Sequence, residues 1–182
     1  GHTHMNFNVV PESSITDGRN FYEHNTGAIC ASWWWSAYLT PGVHISLDGT
    51  PGGYGIWDIS GKDISYIYKA TGRSEDYQFR SYGAGTSKEF PKDIIANVWN
   101  WDKNWKVEWL ENGKVMGTMT QYTGVDPYAH QVCTDKKRTM QSWISAASTG
   151  HMFRATPRNP KAKIEIRVTD RFGKVYQQNV SK

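Results

Sequence analysis

A chain of 182 residues has room for one large domain or two small ones. Its formal net charge of +4 is mild and its Lys and Arg residues are scattered, which argues against a nucleic-acid-binding protein, and we interpret Lys136-Lys137-Arg138 as a solvated loop. No apolar run approaches the roughly 18 residues of a membrane-spanning helix, and the two cysteines, Cys30 and Cys133, lack the Cys-x-x-Cys spacing of a cysteine zinc site.

The chain begins with Gly1-His2-Thr3-His4, which has the spacing of a metal-ligand pair. In an extended segment His2 and His4 project to the same side, because side chains alternate along a strand. Two neutral imidazoles can then bind one metal ion, or one ion each of a close pair, at about 2.0–2.1 Å per Zn–N bond. A cloning remnant that ends in His-Met would occupy the same place, so the residues alone leave both interpretations open.

The segments that follow predict strands separated by polar loops. Met5–Val10 alternates polar and apolar residues, and Phe21–Trp35 has the continuous apolar character of a strand buried on both faces. Within its run of three tryptophans, Trp34 should face opposite to its two neighbours. The three rings either pack between the sheet and a neighbouring layer, or one of them lines a substrate cleft.

A hairpin and one more strand complete this first part of the chain. Tyr54–Ile59 and Ile64–Ala70 should pair across the turn Ser60–Asp63, because apolar and polar residues alternate along the second segment. Tyr77–Tyr82 is the next strand. The stretch Gly83–Pro91 has the composition of a linker, so we predict one domain over residues 1–82 and a second over residues 83–182.

Short segments separated by turns predict a β-domain after residue 83. Asn112-Gly113 is the strongest hairpin signal, since a type I′ turn needs positive φ at both positions. Asp126-Pro127 predicts a helix that extends to about Val132, with Asp as its cap and Pro at its first position. Turns every 8–12 residues are typical of a sandwich resembling an immunoglobulin-like domain. The predicted strands are Ile94–Trp101, Trp105–Leu110, Lys114–Gln121, Ser142–Ser145, Met152–Ala155, Lys163–Thr169 and Lys174–Asn179.

Four pieces of the first part form a recognisable set: Gly1–His4, Glu23–Asn25, Gly27–Trp34 and Asp48–Gly55. Together they resemble the C-terminal end of a calcineurin-like metallophosphoesterase. The rest of the chain resembles the extra C-terminal domain of a bacterial branch of that family, so the resemblance covers nearly the whole chain. Gly-His-Thr-His is generic to the superfamily, whereas the Trp-rich run with Asp-Gly-Thr-Pro is more specific to the branch. The expected fold is mainly β: the C-terminal strands of a metallophosphoesterase sheet, followed by an immunoglobulin-like β-sandwich.

The resemblance implies a two-metal phosphoesterase, but this chain lacks most of the ligands of such a site. Enzymes of the family also carry an Asp-x-His, a Gly-Asp-x-x-Asp and a Gly-Asn-His-Asp/Glu upstream of the final Gly-His-x-His, and none of these three motifs occurs here. Two histidines cannot hold two ions about 3.5–4 Å apart and activate a water. We therefore expect a fragment that is inactive and metal-free alone. In the intact protein, His2 and His4 would complete a Mn, Fe or Zn pair with a missing N-terminal catalytic portion that binds a phosphate ester.

The resemblance also implies that Thr40–Gly53 lies near the rim of the active site. His44 and Asp48 are therefore candidate substrate contacts, although solvated loop residues are the plainer interpretation. His24 and Trp34 are further candidates for this rim, and the plainer interpretation of His24 is a structural histidine. A periplasmic or secreted location is implied by the resemblance alone.

The tryptophan-rich strands leave a different class of function open, a non-catalytic β-sandwich that binds carbohydrate or protein. Trp99 and Trp101 would stack on a ligand if their rings were exposed, whereas alternating Trp residues in a small sandwich more often form the core. A third interpretation is that the C-terminal part only covers the catalytic sheet or fixes a homodimer.

Overall fold

The computed structural model describes residues 3–12, 21–29, 44–135, 137 and 143–180, and over these residues the chain is mainly β, as expected. All strand pairs are antiparallel. The elements are β1 Phe7–Val9, β2 Glu23–Asn25, β3 Gly53–Ser60, β4 Asp63–Ala70, β5 Phe79–Tyr82, β6 Ile94–Val98, β7 Lys106–Glu111, β8 Lys114–Thr118, β9 Thr120–Val125, α1 Pro127–Thr134, β10 Ser148–Ala155, β11 Ile164–Thr169 and β12 Val175–Asn179.

Two four-stranded sheets pack face to face and share the main hydrophobic core. One sheet has the strand order β5-β6-β10-β9, and the other has the order β12-β11-β7-β8. Apolar side chains on alternating positions of both sheets point into the space between them, as the period of two along a strand requires. The buried core includes Phe79, Ile94, Val98, Trp105, Val107, Met119, Phe153, Ile166, Val168 and Tyr176.

The turn at Asn112-Gly113 confirms the predicted hairpin, but the strand that leaves it belongs to two sheets. Asn112 and Gly113 have φ of 50° and 80°, as a type I′ turn requires. The segment predicted as one strand, Lys114–Gln121, divides at Met119, which is buried. β8 therefore pairs with β7, whereas β9 pairs with β10 in the facing sheet.

Helix α1 confirms the predicted start at Asp126-Pro127. The Asp126 carboxylate accepts a hydrogen bond of 2.8 Å from the Ala129 N–H, and Pro127 occupies the first turn, where its missing N–H costs nothing. The inner face of the helix packs on a small second cluster formed by Ile45, Ala129, Val132 and Ile144.

The strand predicted over Ser142–Ser145 was wrong for the residues that the structure describes there. Residues 143–147 form no strand. Ile144 instead packs against helix α1, and the Ala147 N–H donates to the Leu47 carbonyl at 2.9 Å. The apolar residue that suggested a strand is therefore buried by a helix rather than by a neighbouring strand.

Two small sheets lie outside the sandwich. β1 pairs with β2, and β3 pairs with β4 over their full length, from Gly53 opposite Ala70 to Ser60 opposite Asp63. The predicted hairpin over these residues is confirmed. β5, the last strand of the predicted first domain, pairs with β6, the first strand of the predicted second domain. The division at residue 82 and the immunoglobulin-like assignment stay predictions.

None of the helices in the described ranges combines the length and the apolar character needed to cross a bilayer.

Candidate functional site

The loop that carries His4 is held against β2. His4 is half-buried and has φ of 55°, in the left-handed region that non-glycine residues seldom adopt. The side-chain amide of Asn25 donates to Thr3 Oγ1 at 3.0 Å and to the Met5 carbonyl at 2.7 Å. These two hydrogen bonds, one to a side chain and one to the backbone, bracket His4. His2, the other predicted ligand, lies outside the described residues.

Asn6 anchors this loop to the body of the protein. It is fully buried, and its backbone N–H donates to Asp48 Oδ2 at 3.2 Å. Its side-chain amide donates to the Trp99 carbonyl and, at 3.3 Å, to Asn100 Oδ1, both just after β6. Buried polar groups are costly unless they are hydrogen-bonded, so this set of bonds specifies where the loop must lie.

The Asp48 carboxylate is the centre of a buried polar cluster. Asp48 lies in the turn Ser46–Thr50, and its side chain accepts from three donors: the Asn6 N–H, the Thr50 N–H at 2.9 Å and His151 Nε2 at 3.2 Å. The residue is fully buried, so these donors replace the water that an exposed carboxylate would bind. This placement does not support a contact between Asp48 and a substrate.

His151 on β10 connects Asp48 to a second buried carboxylate. Its Nδ1 lies 2.6 Å from Asn97 Oδ1, and its Nε2 faces Asp48. The Asn97 amide nitrogen donates to the Asp48 carbonyl and to Asp126 Oδ2, both at 2.8 Å. Both ring nitrogens of His151 therefore face oxygen atoms, one of the Asn97 amide and one of the Asp48 carboxylate. We name Asp48, Asn97, Asp126 and His151 the buried polar cluster.

Asp126 is both the cap of α1 and a member of the buried polar cluster. Besides the Ala129 N–H, it accepts from the Tyr82 hydroxyl at 2.6 Å, and the Arg80 guanidinium lies 3.5 Å away. Burial, reinforced by the Asp126 charge, raises the pKa of Tyr82, so its hydroxyl stays protonated and donates. Arg80 also donates to the Gly49 carbonyl at 2.9 Å. The Asp126 charge is thus opposed by the nearby Arg80 guanidinium.

His24, a predicted rim residue, lies between β1 and the β3–β4 hairpin. Its Nδ1 is 2.6 Å from Asn8 Oδ1, and its ring contacts those of Trp57 and Tyr66 with centroid distances of 5.4 and 5.8 Å. Burial lowers the pKa of His24 to about 4, because the charged ring loses hydration. His24 is thus a neutral histidine that links two small sheets.

Acidification should therefore destabilise the chain through His24. The unfolded ring has a pKa of about 6.5, whereas the folded pKa is about 4, so the unfolded state binds more protons between these values. We expect the free energy of unfolding, measured by urea titration, to fall as the pH drops from about 6.5 to 4. His24→Gln should flatten this fall, whereas His130→Gln, at an exposed helix position, should not. Equal pH dependence in both variants would contradict this role.

The remaining predicted site residues are dispersed. His44 is exposed beside the turn, and Trp34 lies outside the described residues. The ring of Trp99 is fully buried and packs on Tyr77 with a centroid distance of 5.0 Å. Trp101 is half-buried with its ring against Phe153. These positions give no support to stacking on a sugar or a base.

Sequence reasoning missed most of the buried polar cluster. Asp126 was recognised only as a helix cap, and neither Asn97 nor His151 was singled out. A usable signal was present, because each stands among apolar residues of a strand, in Ala96-Asn97-Val98 and His151-Met152-Phe153. A polar side chain within a buried strand needs a partner, but the sequence does not say which one.

In the part of the chain that the structure describes, no group of three or more His, Cys, Asp or Glu side chains is arranged to hold a metal ion.

Comparisons with known proteins identify one family. A sequence model described as the C terminal of calcineurin-like phosphoesterase matches residues 23–176. No curated protein and no solved structure matches the chain. The family match spans the buried polar cluster and both sheets of the sandwich except the end of β12. Because it covers most of the sequence, the chain belongs to the family of C-terminal domains of calcineurin-like phosphoesterases.

Proposed function

We propose that this chain is the C-terminal part of a metal-dependent phosphoesterase and that its His-x-His loop supplies ligands to a two-metal site. The other ligands would come from an N-terminal catalytic portion, which a C-terminal domain of this family implies. The substrate class is a phosphate ester. His44, exposed beside the turn, stays a candidate for contacts at the rim.

The observation that carries this proposal is the way the loop is anchored. Asn6, two residues after His4, donates a hydrogen bond to Asp48. Asp48 is also hydrogen-bonded to His151, which lies 103 positions after Asp48 in the sequence. Both partners lie inside the region matched by the family. The Asn25 side chain also donates to Thr3 and to Met5, on either side of His4. A loop that the domain holds on both sides of a histidine is what a ligand-bearing loop requires, and this supports the proposal.

The role proposed for this chain is to supply neutral imidazole side chains as ligands to the metal ions. When bound, two metal ions would polarise a phosphoryl oxygen and help a water to ionise near neutral pH. The loop contributes orientation, because Asn25 binds the Thr3 side chain and the Met5 carbonyl, while Asn6 connects the loop to the domain. Neutral histidine is the ligand form, so metal binding should weaken in acid.

The direct test is hydrolysis of an aryl phosphate ester by the intact protein in the presence of Mn²⁺ or Zn²⁺. We expect His2→Ala and His4→Ala each to lower kcat by at least about 100-fold, because even residues that only support a metal ligand contribute 10–100-fold. His130→Ala, at an exposed position of α1, is the matched histidine control and should retain full activity.

The proposal fails if both ligand substitutions are silent in an active intact protein, or if the natural protein has other residues at positions 2 and 4. Gly1–His4 would then be a cloning remnant or a segment with no role in metal binding, and the chain would be an accessory β-domain.

A further inference from the structure

The β3–β4 hairpin is anchored at one end and exposed at the other. Near its base, Tyr66, Tyr68 and Ala70 are buried, and the Tyr68 hydroxyl donates to the Pro51 carbonyl at 2.6 Å. From Ile56 to Ser65 every strand residue is exposed. The outer half of the hairpin therefore extends beyond the part of the protein that buries its base.

One face of this outer half is apolar although it is exposed to solvent. The exposed fractions are 41% for Trp57, 66% for Ile59 and 52% for Ile64. In an antiparallel pair, directly opposite residues share a face. Ile59 lies opposite Ile64, and Trp57 lies opposite Tyr66, so all four side chains are on one face. We name the exposed Trp57, Ile59 and Ile64 the outer hairpin face.

The backbone of the hairpin is also unpaired along its outer edges. Among the described residues, β3 and β4 form a two-stranded sheet and pair with no third strand. An isolated two-stranded hairpin is marginally stable in water, and an exposed apolar edge is usually covered or protected by charge. The hairpin has eight paired residues on each strand and an apolar outer face. Such a hairpin is typical of a surface that another part of the protein covers.

The outer hairpin face is continuous with the strands that follow the His-x-His loop. The Tyr22 ring stacks on Tyr66 with a centroid distance of 5.3 Å, and the His24 ring contacts Trp57. Asn8 on β1 binds both Tyr22 and His24. A cleft of about 990 Å³ between these elements is lined partly by Phe21, Trp57 and Ile64. The apolar surface therefore begins beside β1, which starts three residues after His4.

We propose that the outer hairpin face docks on the N-terminal catalytic portion of the same protein. The inference rests on the proposed function, because a metal pair that His4 completes brings the catalytic portion into contact with the loop before β1. A body large enough to hold the remaining ligands then lies next to the hairpin that packs against β1 and β2. Docking would bury Ile59 and Ile64 and give the outer edges of the hairpin hydrogen-bonding partners.

Cysteine labelling of the intact protein tests this docking. Ile64→Cys is compared with Val175→Cys on β12, because the two positions have nearly equal exposure in this structure, 52% and 53%. We expect the thiol at position 64 to react with a maleimide at least about tenfold more slowly than the thiol at position 175, since a thiol buried in an interface reacts only after local opening. Mass spectrometry of the peptides separates both sites from Cys30 and Cys133.

Equal labelling rates at positions 64 and 175 in the folded protein would overturn the proposal. If Ile64→Cys does not fold, Ile59→Cys takes its place, with the same expected protection. A second copy of the chain would protect the same face. The labelling is therefore repeated at decreasing protein concentrations, and light scattering measures the molar mass of the protein at each concentration. Protection that persists in the monomer supports docking within one chain, and protection lost as dimers dissociate contradicts it.

The result of the labelling experiment can be separated from the result of the activity test on the His-x-His loop. If His4→Ala abolishes activity while position 64 reacts freely, the proposed function stands and the docking surface is wrong. If position 64 is protected while His4→Ala is silent, the hairpin docks on the preceding domain for a reason other than metal binding.

Discussion

Gly49→Ala is expected to leave little folded protein at 37 °C. Gly49 has φ of +84°, and a Cβ there would lie 2.3 Å from Asp126 Cγ. The left-handed backbone alone costs an Ala about 1–2 kcal/mol. The Asp126 side chain cannot move aside cheaply, because it accepts hydrogen bonds from the Ala129 N–H, Tyr82 and Asn97. Leaving such buried donors without an acceptor costs about 1–3 kcal/mol each. A loss of at least about 4 kcal/mol, measured by urea unfolding, follows.

Gly72→Ala separates backbone strain from the clash. Gly72 has a similar φ of +71°, but a Cβ there meets nothing within 4 Å. This control should cost only about 1–2 kcal/mol of the free energy of unfolding. Equal destabilisation by the two substitutions would show that the contact between Gly49 and Asp126 has no energetic role.

Asp48→Asn should destabilise the chain almost as strongly, although the two side chains have nearly the same shape. Asp48 accepts from the Asn6 N–H, the Thr50 N–H and His151. An amide has one acceptor oxygen, so its NH₂ group must face at least one of these donors, and the charge that faces His151 is lost. A buried donor that faces the NH₂ group loses its acceptor at a cost of about 1–3 kcal/mol, and the remaining donors lose a charged acceptor for a neutral one. We therefore expect a loss of at least about 3 kcal/mol, which corresponds to a fall in Tm of at least about 6 °C for a domain of this size.

The matched control is Asp58→Asn on the exposed outer half of β3. The same chemical change at a solvated position should alter the free energy of unfolding by less than about 0.5 kcal/mol. If the Tm of Asp48→Asn stays within 1 °C of the parent in a protocol where that difference is resolved, Asp48 is not the anchor that we infer.

The sequence by itself determined the features that depend on neighbouring residues. Asn112-Gly113 specifies its turn because few residues tolerate positive φ twice in succession. Asp126-Pro127 specifies a helix start because the cap and the fixed φ of proline act within one turn. The β3–β4 hairpin was predictable because apolar and polar residues alternate along its second strand, a pattern that is visible within one strand. The family resemblance, carried by short motifs, was equally readable and is confirmed by the match over residues 23–176.

Only the tertiary structure decided which distant residues meet. Periodicity predicted one strand over Lys114–Gln121, but burial of Met119 between the sheets divides it into β8 and β9. The apolar Ile144 indicated a strand and instead packs on a helix. Asp48 resembled a solvated loop residue until His151, far away in the chain, was found beside it. Local patterns record which side of an element is apolar, whereas the partner of a buried polar group is set by packing of the whole chain.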